Sequence, residues 1–245
     1  MPGKAALGAL AVGFLIWAGV SFWPVFIFAC AMLAIYLSEP PERRSLRSSF
    51  WLLSILSILG VAAVSALSGY FLINLMSVLL ALSFGVSLFL IFGLTNLFFK
   101  DKIVTYNFLN AAVSAYFFLM AFYIMPDPSN NGVFNLVLWF LAVFIGSRVI
   151  VKEALVFNGL PENKSLRVIT WSFSLIVAEI AIFAAVLPLG FVDAAAFITL
   201  LSIMGRDVIL ARFSGSLNRS LVFREVTIFV LILSLIFATV TWILP

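Results

Sequence analysis

Glu179 is the only charged residue between Val168 and Leu187, in a run otherwise made of apolar and small polar side chains. A carboxyl in such a run can do two kinds of chemistry. It can take up and release a proton or a cation, as ionisable groups inside a bilayer do when they couple transport. It can also hold a neighbouring helix by a hydrogen bond, with no turnover at all. Counted from Arg167 at about 1.5 Å of rise per residue, Glu179 falls near the middle of a membrane. The same count sets Ser87, Tyr116 and Thr199 at its level as candidate polar neighbours. Arg148, one helical turn from Lys152, is expected to reach toward the nearer surface instead.

Cations form the second candidate set. Pro41-Glu42-Arg43-Arg44-Ser45-Leu46-Arg47, followed by Trp51, recurs 120 positions later as Pro161-Glu162-Asn163-Lys164-Ser165-Leu166-Arg167, followed by Trp171. A shortened copy, Asn218-Arg219-Ser220-Leu221, opens the last apolar run. Basic side chains at a helix start suit phosphate, because unpaired N–H groups and the helix dipole add to their charge. Arg44, Arg47, Lys164, Arg167 and Arg219 are therefore candidate contacts for lipid phosphate, and Ser45, Ser165 and Ser220 candidate N-caps. Any helix start on the basic side of a membrane favours a cation and a capping serine. The matching Pro, Glu, Leu and Trp go beyond what capping demands, so duplication is the expectation.

What is missing narrows the chemistry further. The chain has no histidine, which removes the His-containing zinc sites, the usual haem ligand and every Ser-His or Cys-His pair. Cys30 is the single cysteine, so no intrachain disulfide and no thiolate cluster can form. No phosphate-binding glycine loop or nucleophile elbow is present. The chain is expected not to be an enzyme and to need no cofactor or metal. An enzyme acting on lipid phosphate through the loop cations is the weakest reading, for want of an acid/base pair beside them.

The elements that must position these residues follow from composition. At 64% hydrophobic and 10% charged, with a mean hydropathy of +1.24, the chain is far from an ordinary soluble domain. Apolar runs cover residues 5–20, 24–37, 49–67, 72–99, 103–125, 133–155, 168–187, 191–211 and 222–244. Continuous apolar runs without alternation select helices, since only helices and closed barrels satisfy the backbone in lipid. The expectation is an all-α polytopic integral membrane protein of about nine spans, forming one transmembrane domain over 1–245. Repeats over 4–99 and 100–211 would be parallel 4+4 sets of hairpins, with an extra helix over 222–244. Residues 5–37 are the ambiguous part: two spans broken at Trp23-Pro24, or one long kinked helix.

Loop charge bears on that choice. Lysines and arginines fall in every second connection, and the intervening turns at 21–23, 68–71, 126–132 and 188–190 hold none. The positive-inside rule then puts the N-terminus in the cytoplasm and the C-terminus outside, and only a two-span reading of 5–37 keeps the alternation. A pI near 9.5 fits a surface facing anionic lipid headgroups, with no nucleic-acid partner. The expected function is a non-catalytic membrane component: a subunit, scaffold or assembly factor with protein partners in the membrane. The alternative is a small transporter in which Glu179 is the proton- or cation-coupling carboxylate.

Overall fold

The computed structural model of the chain describes residues 2–39, 46–65, 70–95, 100–125, 133–187, 189–215 and 217–239, and among these each of the nine apolar runs contributes an α-helix. The helices are α1 (Pro2–Ala18), α2 (Phe22–Leu37), α3 (Arg47–Ser65), α4 (Tyr70–Thr95), α5 (Lys102–Tyr123), α6 (Val133–Phe157), α7 (Lys164–Val186), α8 (Phe191–Phe213) and α9 (Arg219–Thr239). No strand occurs among the described residues. Among the described residues six helices, α3 to α8, are long and apolar enough to cross a membrane, which is compatible with a multi-pass membrane protein. The apolar helices α1 and α2 are shorter, at 17 and 16 residues. The chain divides into two compact units, Met1–Asn110 and Ala111–Pro245.

In the first unit, residues 2–37 form a hairpin of two helices. The break falls earlier than Trp23-Pro24, at Gly19, whose φ of 80° lies in the left-handed region that a residue with a Cβ rarely occupies. Pro24 sits inside the first turn of α2, where a backbone N–H would have no partner within the helix. The hairpin closes at its far end through an ion pair between Lys4 and Glu39, with Lys4 also donating to the Ser38 carbonyl at 3.3 Å. Helix α1 is the centre of the unit and packs on α4, α2 and α3. Its closest approach is to α4: Gly8 lies under the side chains of Leu88 and Phe84, and Gly85 faces Ala9 and Ala5. Small residues on both helices let the backbones approach.

The second unit is built on different pairings: α6 on α7, α7 on α8 and α8 on α9. Helix α5 reaches α6 through Trp139, whose indole Nε1 donates to the Ala121 carbonyl at 2.7 Å. The end of the Phe117 ring rests on Gly146, and the Phe173 ring rests on Gly205 in the same way. The α6–α7 connection is tightly specified. Gly159 at φ 89° donates to the Val156 carbonyl and Leu160 to the Leu155 carbonyl, a Schellman ending in which Leu160 packs against the apolar cluster of Val151, Leu155 and Leu166. Pro161 then prevents the helix from resuming.

Candidate functional site

The ends of α6 and α7 bring together four charged side chains around a cleft. The cleft is lined by Arg148 and Lys152 from α6, Glu162 from the connection, and Leu166, Arg167 and Thr170 from α7. Arg148 and Lys152 share a face because they lie four apart on one helix. Arg148 is held by stacking: its guanidinium sits 3.9 Å from the centre of the Trp171 ring, whose own centre lies 5.2 Å from that of Phe144. Its Nε is buried without a hydrogen-bond partner among the described residues. Lys152 is paired with Glu162. The Thr170 hydroxyl donates to the Arg167 carbonyl of its own helix at 2.9 Å.

The field in the cleft is positive. A hydrogen bond and the charge of Lys152, with further help from Arg167 and Arg148, hold the Glu162 carboxyl below the usual carboxylate range. Glu162 is therefore ionised at neutral pH, and three cations face one carboxylate. Glu153, the residue after Lys152, does not line the cleft.

Of the loop cations expected to meet phosphate, Arg167 stands in this cleft. Lys164 is exposed at the start of α7, while Arg47 and Arg219 are exposed at the starts of α3 and α9. Arg44 and Ser45 lie outside the described residues. Ser165 is not the cap of α7. Asn163 is, with extended backbone (φ −115°, ψ 177°) and a side chain that accepts from the Leu166 N–H at 2.8 Å. Ser165 and Ser220 instead fall inside the first turns of their helices. The signal was in the sequence: Asn163-Lys164-Ser165 and Asn218-Arg219-Ser220 share the asparagine, a strong N-cap residue. Arg148 and Trp171 were not expected in a site with Arg167, because no spacing rule links the end of one helix to the start of the next.

Glu179 faces the other way. The buried face of α7 carries Leu166, Thr170, Ser174, Val177, Ala178, Ala181 and Ala184. Glu179 belongs to the opposite stripe and is exposed, between Leu175 and Ile176 on one side and Phe183 and Val186 on the other. No hydrogen bond or ion pair reaches it among the described residues. Thr199 is buried on α8, and its hydroxyl donates to the Ala195 carbonyl at 2.7 Å. Tyr116 is half-buried on α5, and Ser87 half-buried on α4 in the first unit. Arg206 on α8 is buried and paired with Asp207 at 2.8 Å.

No family model, curated protein or solved structure matches the chain.

Proposed function

We propose that the chain is a non-catalytic polytopic membrane protein that serves as a subunit or scaffold of a membrane complex, and that the outer face of α7 is where a partner helix binds. One observation carries the reading: Glu179 stands exposed in the middle of an apolar stripe and points away from the α6–α8 interior. A carboxyl facing hydrocarbon is costly, and such groups are kept where another chain supplies a polar partner. The transporter alternative needs Glu179 turned to a hydrated cavity inside its bundle. The small buried residues on the opposite side of α7 favour the subunit.

Photo-crosslinking in native membranes tests this. A crosslinker at Leu175 or Phe183, flanking Glu179, is expected to trap a discrete protein adduct, and one at Ala178 on the inner face is not. Lipid adducts alone at both outer positions would end the subunit reading.

We read the nine helices as nine spans of one transmembrane domain, with the N-terminus in the cytoplasm and the C-terminus outside. Alternation of basic and non-basic connections supports this, as does the Lys4–Glu39 pair, which sets the two ends of the first hairpin on one side. Since helix pairing differs between the units, the recurring Pro-Glu…Ser-Leu-Arg…Trp motif is proposed to mark equivalent cytoplasmic helix starts and not a superposable four-helix bundle. With Cys30 replaced by alanine, cysteines at Ser68 and Ser129 are expected to react with an impermeant reagent added outside intact cells. Those at Ser45 and Ser165 are expected to react only after permeabilisation. The opposite pattern would invert the topology.

A further inference from the structure

We propose that the cleft between the ends of α6 and α7 binds a phosphate group, gripped by Arg148 and Arg167. Its lining carries a net of two positive charges, from three cations and one carboxylate. Lys152 and Glu162 satisfy each other, so Arg148 and Arg167 are the cations left for a ligand. Arg148 is the preorganised one. Its guanidinium lies over the Trp171 ring, and a planar fork held in place loses little freedom when it takes two oxygens of a tetrahedral anion. Its Nε has no hydrogen-bond partner among the described residues. Arg167 is exposed and can close over the anion from the α7 side. The start of α7 adds the positive end of a helix of 23 residues. Leu166 supplies an apolar wall beside the cations, the combination that a phosphate joined to acyl chains requires.

The phosphate chemistry stands independently of the partner proposed for α7. Only its source, a lipid headgroup or a soluble anion, rests on the membrane reading. The full chain in phosphatidylcholine nanodiscs is the sample, and its thermal midpoint the readout. Phosphatidic acid mixed into the disc is expected to raise the midpoint by several degrees, since a ligand that binds only the folded state stabilises it by mass action. Arg148→Gln and Arg167→Gln should each remove more than half of that rise, and Lys100→Gln, in the first unit, should leave it. Glu162→Gln should enlarge it, because losing the carboxylate frees Lys152. A gain of that kind cannot arise from misfolding. If Arg148→Gln fails to assemble, the exposed Arg167 and the Glu162 variant decide. A rise with inorganic phosphate and none with phosphatidic acid would keep the phosphate site and assign it to a soluble anion. No rise with either phosphate, or equal loss in the Lys100 variant, would overturn the proposal.

Discussion

Gly146→Val is expected to destabilise the second unit by about 2–3 kcal/mol, the upper part of the range for overpacking a well-filled interior. A Cβ at Gly146 would meet three atoms at the tip of the Phe117 ring, so the ring must shift to admit it. Phe117 is itself buried and packs edge-on against Phe118, their ring centres 5.1 Å apart. The same junction holds the Trp139 indole on the Ala121 carbonyl, so moving α5 from α6 would also strand a buried donor. Unfolding of the detergent-solubilised chain, followed by tryptophan fluorescence, measures the loss. The double variant with Phe117→Ala supplies the decisive comparison. If the ring rests on the glycine, the two losses are not additive, and the pair recovers about 1 kcal/mol or more of their sum. Additive losses would mean that the two residues do not meet.

That contact could not have been read from the sequence, although the helices joined by it could. Among the described residues nine apolar runs hold nine helices with ends shifted by a few residues, because run length and the absence of alternation reflect a backbone that must satisfy itself. Pairing is another matter. In an apolar chain both sides of a helix are hydrophobic, so the moment that orients a soluble helix carries little information. The useful signal is inverted. On α7 the small residues Ser174, Ala178 and Ala181 turn inward, while Leu175, Ile176 and Phe183 turn outward. Read that way, Glu179 belongs with the outer stripe. Depth alone had grouped it with Thr199 and Tyr116. The cleft shows the same limit: Arg167 was marked by the recurring loop, but Arg148 enters only because Gly159 and Pro161 fold α6 and α7 back on each other.

Glu179→Leu should separate the two functions by the largest margin. On the insertion scale an acidic residue at a helix centre costs about 2.5–3.5 kcal/mol and a leucine contributes about −0.5, so the change favours insertion of α7 by about 3 kcal/mol or more. Abundance in the membrane should therefore hold or rise. The partner adduct trapped from Leu175 should disappear, because leucine offers no hydrogen bond to the group that Glu179 meets. Glu179→Gln then distinguishes binding from proton exchange. Glutamine keeps a carbonyl acceptor and adds donors, yet cannot exchange a proton. A subunit interface should tolerate it, with the adduct largely retained. A coupling carboxylate should not, and a transport activity lost in the glutamine variant at unchanged abundance would move the assignment to the alternative. If both variants keep the adduct, the outer face of α7 binds its neighbour without the carboxyl, and the observation that carries the subunit reading loses its force. Membrane abundance and crosslinking, measured on the same three chains, decide among these outcomes.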